Sequence, residues 1–413
     1  MLRRLSSMLR IGLITGEYPP LEGGVGDFTR LLGRALSQLG HEVHVITRSA
    51  ARTPGLGPVA DTAPLPHPVI TAWDWEAWGH LNWLAEELRL DIYNIQYQAA
   101  AYDLQGAINF YPLAHQLGWP LSTSRRIPIV TTFHDLKTPY LFPKAGRLRW
   151  WAVKFLARRS DAVIVTTAAD RERLLAEGLG KPRYPGDTRI VVIPIGSNII
   201  PQLPVGYKRD AWRARYGVGP EDVLLGYFGF LNESKGVDTL LQALARLGNA
   251  GAHMRLILIG GRTGASDKTN VAYAEVITRL IQELGLSGRV RMTGYLAPTE
   301  VSALFEAMDI CVLPYRDGAS FRRGSLLAAL AHGCAIITTH PDPPVEELRH
   351  LENVYLVPPN DAPALAAAIA TLAAAPTLCA RLGRRAMELS QHFRWERIAG
   401  ETLALYERVL ARR

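Results

Sequence analysis

Four short stretches combine residue types that could handle an anionic ligand. The first, Gly16-Glu-Tyr-Pro-Pro-Leu-Glu-Gly-Gly-Val-Gly26, sets Gly23, Gly24 and Gly26 between an apolar run and an amphipathic one. Glycine lets backbone approach a ligand closely, and the amphipathic run would open with N–H groups that favour an anion. The stretch has neither the Gly-Lys-Ser/Thr of a Walker loop nor the glycine spacing of a dinucleotide fingerprint, so by itself it also describes a flexible turn. The second, His134-Asp135, follows the apolar run Pro128–Thr132. An imidazole there can exchange hydrogen bonds with a ligand near neutral pH, or it can cap the next helix. The third, Gly229-Phe-Leu-Asn-Glu-Ser-Lys-Gly236, puts Lys235 just before the helical run Val237–Leu247. A cation at a helix start opposes the helix dipole unless both share an anion; the alternative is a solvated lysine. The fourth runs from Asp317 to Gly333. Ser320 reads as an N-cap, which places Arg322 and Arg323 in the first helical turn with Gly324 and Ser325 behind them, again the wrong end for positive charge. Either Asp317 neutralises the arginines, or they hold a phosphate or carboxylate.

All four stretches lie where a short apolar run gives way to a longer amphipathic one. Ile11–Thr15, Val43–Ile46, Ile92–Gln96, Pro128–Thr132, Val163–Thr166 and Val191–Pro194 read as strands, and Val25–Leu39 as a helix stopped by Gly40. Near-continuous Val/Ile runs predict strands buried on both faces, hence a parallel sheet between helix layers. The Pro-, Gly- and polar-rich stretch Ser197–Pro220 interrupts this rhythm, with only Tyr207–Tyr216 periodic. The rhythm then restarts with strands at Val223–Phe228, Met254–Ile259, Val290–Thr293, Ile310–Leu313, Ala335–Thr338 and Tyr355–Val357. Helices are expected at Val237–Leu247, Val271–Leu284, Thr299–Met308 and Ser325–His332, and the tail Ala362–Arg413 reads as helical throughout. The expectation is an α/β chain of two Rossmann-like, doubly wound domains with a linker near 200. Ligands of such sheets bind at the carboxyl ends of the strands, and two such edges facing each other make a cleft.

Composition agrees. A chain of 413 residues is long for one core, and 48% hydrophobic with 20% charged residues excludes wholesale disorder and fibrous coiled coil. No apolar run reaches the roughly 18 residues of a membrane span; Leu326–Thr339 is broken by His332 and Gly333. Met1–Arg10 is basic, but Ile11–Thr15 is too short for the apolar core of a signal peptide, so it reads as an extension before a buried strand. Cys311 and Cys334 lie in apolar runs and, with Cys379, form no disulfide framework; they read as thiols in a reducing cytosol. Trp73, Trp75, Trp78 and Trp83 read as packing residues. The absence of Asp-x-Asp, His-Glu-x-x-His and Cys-x-x-Cys gives a dedicated metal site no support. The net charge of +8 suits an anionic substrate, a membrane surface or nucleic acid, the last on charge alone since no nucleic-acid module is recognisable. Lys144–Arg159 carries six cations, no carboxylate, and Trp150, Trp151 and Phe155. As a helix it suits an anionic lipid surface, or its aromatic stripe packs on the sheet and its arginines are solvated.

Taken together these stretches resemble a retaining GT-B glycosyltransferase of family 4, over nearly the whole chain. Pro19-Pro20 with Gly23-Gly24, TTFHD (131–135), SDAVIVTT (160–167), IPIGSN (193–198), GFLNESKGVDTLLQALA (229–245), VRMTGYL (290–296) and LLAALAHGCAIITT (326–339) occur in that family's order. The resemblance implies GT-B architecture: an acceptor-side domain at 1–200, a nucleotide-sugar domain at 201–390, and a C-terminal helix at 391–413 crossing back onto the first. It implies a nucleotide-diphosphate sugar as donor substrate, no cofactor and no catalytic metal. The acceptor would be a glycan, a lipid or a small molecule in cytoplasmic, envelope-related chemistry. Gly23 and Gly24 match the glycine loop near the diphosphate, His134 the histidine that contacts the transferred sugar, and Lys235 the lysine that neutralises the diphosphate. Arg322, Arg323, Gly324 and Ser325 would extend the diphosphate site, with Asp317 and Ser320 on the sugar and ribose side. Gly294, Tyr295 and Leu296 match the segment against the base.

Three departures stand out. An arginine common in the family is Phe230 here, and two glutamates fall at Ser320 and Ala328. Arg322 and Arg323 could replace the charge missing at Phe230. The missing carboxylates also suit a sugar-nucleotide-binding relative that has lost catalysis, against which stand His134 and Lys235.

Overall fold

The computed structural model describes residues 8–21, 23–51, 64–119, 126–136, 146–180, 189–261 and 268–412. The basic residues at 1–7 and Lys144 lie outside them. The chain divides into two compact units, Met1–Gly196 with Trp395–Arg413, and Ser197–Arg394.

The first unit is built on β1 (Arg10–Thr15), α1 (Gly24–Gln38), β2 (Glu42–Arg48), β3 (Leu65–Ile70), α2 (Glu76–Glu87), β4 (Ile92–Tyr97), α3 (Ala107–Leu117), β5 (Ile129–Phe133), α4 (Gly146–Arg159), β6 (Ala162–Val165), α5 (Ala168–Ala176) and β7 (Ile190–Val192). Its seven strands are parallel, in the order β3-β2-β1-β4-β5-β6-β7. The central strands are buried along their length, as the Val/Ile runs predict. Helix α1 buries Val25, Phe28, Leu31, Leu32, Ala35 and Leu36, the i, i+3, i+4 stripe of an amphipathic helix. Strand β3 is an addition to the expected set: Pro66 and Pro68 hide it in the sequence, and such residues are tolerated because it is an edge strand. Trp73 and Trp78 are core residues and Trp75, though 54% exposed, packs edge-on to Trp78 at 4.8 Å; Trp83 is 52% exposed, which corrects its reading as a packing residue.

The second unit holds α6 (Arg209–Arg215), β8 (Val223–Phe228), α7 (Val237–Arg246), β9 (Met254–Ile259), α8 (Lys268–Glu283), β10 (Val290–Met292), α9 (Pro298–Ala307), β11 (Ile310–Leu313), α10 (Gly324–Ala331), β12 (Ile336–Thr339), β13 (Tyr355–Val357), α11 (Ala362–Ala373) and α12 (Pro376–Ser390). Its six parallel strands run β10-β9-β8-β11-β12-β13. Cys311 and Cys334 are buried in it and Cys379 is half-buried, all three free thiols.

The last helix, α13 (Trp395–Leu410), returns to the first unit. Ile398, Ala399, Leu405, Tyr406 and Val409 join the cluster formed by α1, β1 and β2. Full burial of side chains such as Ile398 and Leu405 contributes about 1.5–3 kcal/mol each. Tyr406 accepts a hydrogen bond through its hydroxyl oxygen from Asn94 Nδ2 at 2.6 Å, which pairs a buried amide in the middle of β4. In each sheet the strand order reverses once, between β1 and β4 and between β8 and β11. Chains leave such a switch point in opposite directions, and the gap left at the carboxyl edge is where a ligand can reach the strand ends.

Candidate functional site

The switch point of the second unit gathers the charged residues. After β8, Asn232 Oδ1 accepts the Ser234 N–H at 2.9 Å and starts a single tight turn, Glu233–Lys235. Gly236 closes it with φ +67°, and a Cβ there would lie 2.1 Å from the Pro314 carbonyl oxygen, so only glycine lets this turn seat against the end of β11. Arg316 N–H, donating to Ser234 O at 2.9 Å, ties the same two segments. The result brings Lys235 Nζ over the ring of Tyr315, 5.1 Å from its centroid. Arg323 Cζ lies 4.9 Å from the same centroid. Tyr315 is fully buried, and its hydroxyl is fixed to Ser325 Oγ at 2.7 Å. Among the described residues no carboxylate pairs with Lys235, whereas Arg323 is ion-paired with Asp317. Burial, and after it the neighbouring Arg323, push the lysine down to about 8, with Asp317 acting in the opposite sense.

Helix α10 starts at Gly324, within a residue of the expected Ser325, but its cap is not the expected one. Ser320 is not its N-cap: Ser320 Oγ accepts the Arg322 N–H at 3.2 Å and its carbonyl accepts the Arg323 N–H at 3.0 Å, forming a turn before the helix. A hydroxyl spent two residues on is not available to a later helix start. Arg323 is the cap residue, with no side-chain cap bond, so both arginines precede the first turn and only Gly324 and Ser325 lie in it. Nothing would crowd a Cβ at Gly324, so backbone at the uncapped start of α10 faces open space. Arg322 is exposed and is not one of the cations on Tyr315.

The neighbouring strand ends form a glycine shelf. Gly229, Gly260 and Gly294 follow β8, β9 and β10 with φ of +139°, +135° and +72°. A Cβ on Gly260 would meet Gly229 O at 2.5 Å, and one on Gly229 would lie 4.0 Å from the Ser325 side chain, so the shelf abuts the start of α10. Beside Gly294, Tyr295 is 75% exposed and Leu296 is half-buried. Phe230, where the resemblance anticipates an arginine, is half exposed, and Ala328 is fully buried in α10. A cavity of about 850 Å³ lies beside the Lys235 turn, lined among others by Asn232, Glu233, Asp238, Tyr273 and Arg316. Its Arg316 is held by Glu233 and Asp238, and although Asn232, Glu233 and Ser234 of the Gly229–Gly236 stretch line it, Lys235 does not.

In the first unit His134 follows β5, with Nε2 3.0 Å from Gln96 Oε1 and its ring edge-on to Phe28 at 4.7 Å. Phe28 in turn packs on Trp395 at 5.2 Å. Burial pushes the imidazole down to about 3, so it is neutral at any physiological pH. With Oε1 of Gln96 facing the ring, Nε2 carries the proton and Nδ1 is an acceptor. Asp135 is buried and accepts from Gln98 Nε2 at 3.2 Å.

The glycine loop holds a residue that the sequence reading passed over. Glu17 Oε1 accepts the N–H groups of Val25 and Gly26 at 2.9 and 3.3 Å, at the start of α1. A Cβ on Gly23 would lie 2.1 Å from Glu17 Cδ, whereas Gly24 has open space. Gly23 therefore makes room for the protein's own carboxylate, and Gly24 is the one of the pair whose backbone is approachable.

Two doubly wound units, one with a cationic and glycine-lined carboxyl edge, define a two-domain α/β protein. Known proteins agree with that class. The profile described as "Glycosyl transferases group 1" matches residues 222–375, and "Glycosyl transferase 4-like domain" matches 23–196. A D-inositol 3-phosphate glycosyltransferase of Kineococcus radiotolerans is 26% identical over 442 aligned positions, covering 99% of this chain and 97% of that one. Sucrose-phosphate synthase from Thermosynechococcus elongatus superposes with a TM-score of 0.73 at 23% identity, covering 98% of this chain and all of that one (100%). Anabaena HepE in complex with UDP superposes with a TM-score of 0.70 at 20% identity, covering 97% and 100%. The chain belongs to the group 1 glycosyltransferases and has their GT-B fold.

Proposed function

We propose that this glycosyltransferase moves a sugar from a nucleotide-diphosphate donor to its acceptor with retention of configuration. The observation that carries the reading is the pair of cations, Lys235 and Arg323, gathered at the uncapped start of α10. HepE structures with UDP, with UDP and glucose, and with UDP-glucose support a donor of this kind. As the bond between sugar and diphosphate breaks, negative charge grows on the leaving oxygen. A lysine, a guanidinium and backbone amides held in place beforehand stabilise that charge without rearranging. The leaving charge is assigned to these groups rather than to a metal or cofactor. In the same-face route that the resemblance implies, the leaving phosphate takes the proton of the acceptor hydroxyl, so no protein carboxylate acts as nucleophile. Arg323, rather than Arg322, supplies the charge missing at Phe230. His134 receives a hydroxyl of the transferred sugar on Nδ1, Gly24 offers backbone to the diphosphate beside Gly23, and Tyr295 offers a ring to the base with Gly294 and Leu296.

Nucleotide release from a panel of sugar nucleotides tests this. Release with one donor, undiminished by EDTA, is expected. Tight binding without release would instead favour a sugar-nucleotide-binding protein that has lost catalysis, the reading that carboxylate-free Ser320 and the fully buried Ala328 support.

The acceptor is read as a glycan or lipid-linked molecule, met at the inner face of the cytoplasmic membrane through the 144–159 segment, of which α4 is the described part; nucleic acid is given no role. Among the described residues no single helix is long and apolar enough to cross a membrane, so any contact would be peripheral. In that helix Trp150 donates to Glu177 at 2.7 Å and Lys154 pairs with it at 2.8 Å, so both are engaged within the unit. Trp151, 44% exposed, packs on Phe155 and Phe110 and is the aromatic available to a lipid surface. Sedimentation with anionic vesicles at low salt, lost at high salt and weakened by Trp151→Ala, is expected. Equal partition onto neutral and anionic vesicles would leave a water-soluble acceptor.

A further inference from the structure

We propose that Tyr315 is the positioning residue of the diphosphate site: its buried ring gathers Lys235 and Arg323 without cancelling their charge. The inference rests on the donor reading above.

Two cations brought together in a half-buried site repel each other and lose hydration, and folds usually answer with a carboxylate. Here Asp317 is ion-paired with Arg323 and reaches Lys235 only through space, and that carboxylate is more than half exposed. Lys235 has the ring in its place. A carboxylate beside Lys235 would neutralise the charge meant for an incoming phosphate. An aromatic face attracts a cation through its quadrupole and carries no net charge, so the lysine is held and stays positive. Both cations lie within the roughly 6 Å over which this attraction acts. The ring cannot drift, because it is fully buried and its hydroxyl is bonded to Ser325 Oγ in the first turn of α10. One side chain thereby links three parts of the site: the turn after β8, the loop after β11, and the helix start. Arg316, next in sequence, bonds the carbonyl of Ser234 through its own N–H, which holds the lysine turn at the correct height over the ring.

The experiment measures binding of inorganic pyrophosphate, and of the nucleoside and nucleoside diphosphate chosen by the release panel, to the full chain. Tyr315→Phe keeps the ring and should bind all three within about threefold of the natural protein. Tyr315→Met removes the ring and leaves a flexible apolar side chain that can fill much of the gap. It should lose tenfold or more in affinity for pyrophosphate and nucleoside diphosphate while binding nucleoside unchanged, the pattern also expected of the Arg322→Ala/Arg323→Ala double variant. In kcat/KM the loss should appear with an alkaline limb displaced upward from about pH 8, as Lys235 leaves its buried seat. Fluorinated phenylalanines at 315 weaken the ring's quadrupole at nearly constant size, so they decide the matter even if the methionine variant does not fold: pyrophosphate affinity should fall with each fluorine. No dependence on fluorination, or equal losses for nucleoside and diphosphate, would overturn the role of Tyr315. A natural protein that binds pyrophosphate but no nucleotide would overturn the donor reading and leave this one standing.

Discussion

Lys235→Ala should lower turnover by about 10²-fold or more, since removing one preorganised charge from a developing oxyanion typically costs that much. Among the described residues no carboxylate is ion-paired with the lysine and Asp317 acts on it only through space, so most of its charge is available to the leaving diphosphate. Arg323 remains in the variant, but it shares its charge with Asp317 and so makes up only part of the loss. The pH dependence follows from the lowered pKa. Lys235 is protonated below about pH 8, so kcat/KM should fall as pH rises through that value, and the variant should lose this limb. Folding should not be the cause of the loss. The folded chain holds the lysine proton less tightly than the unfolded chain, so burying the ammonium works against stability at pH 7 and its removal relieves that cost. Steady-state kinetics and thermal melts of the same preparation check both points. Activity within twofold of the natural protein would move the diphosphate elsewhere.

Gly236→Ala should be the most damaging single methyl group near the site. It forces a side chain into left-handed backbone and sets a Cβ 2.1 Å from a carbonyl oxygen, a backbone atom that no rotamer change can move away. Strain and overpacking of this kind cost about 3 kcal/mol or more together. The clash falls between the Lys235 turn and the end of β11, so Lys235 and Tyr315 separate together. Urea unfolding should show a lower midpoint, and the fraction still folded should bind nucleoside diphosphate poorly. An unchanged midpoint would mean that the two loops adjust independently. Gly285→Ala, equally left-handed at φ +68° but with nothing within 4 Å of a Cβ, is the matched control.

The strands, most helices and the position of Lys235 were legible in the residues because they depend on near neighbours in the chain. Val223–Phe228, Ile310–Leu313 and, but for Arg255, Met254–Ile259 are near-continuous apolar runs, and a run of that kind declares a buried parallel strand whatever packs on it. A lysine between such a strand and an amphipathic helix must lie at a carboxyl edge, so its chemistry could be read early. Where local signals conflicted, the reading slipped. Pro66 and Pro68 masked β3, which only its place at the sheet edge permits. Ser320 looked like a helix cap, but its hydroxyl closes a turn two residues on, and α10 starts after it. Whether a tryptophan is core or surface was likewise undecided by type, since Trp73 and Trp75 differ only in which way the backbone turns them.

The sequence alone determined the doubly wound architecture, the order of its elements and the loops that reach the carboxyl edges, because hydrophobic period and turn chemistry are properties of adjacent residues. Which side chains meet in those loops was decided only by the tertiary structure. Tyr315 carries no signal of its own, yet it holds a lysine from the turn after β8, the strand beside β11 in the sheet but well before it in the chain. Glu17 looks like one more polar loop residue until its carboxylate is found on the amides of α1. Asn94 in a central strand reads as an error until Tyr406, 312 residues away, is brought against it. Such contacts form between segments whose separation along the chain bears no relation to their distance in space, and the packing of whole sheets and helices sets that distance.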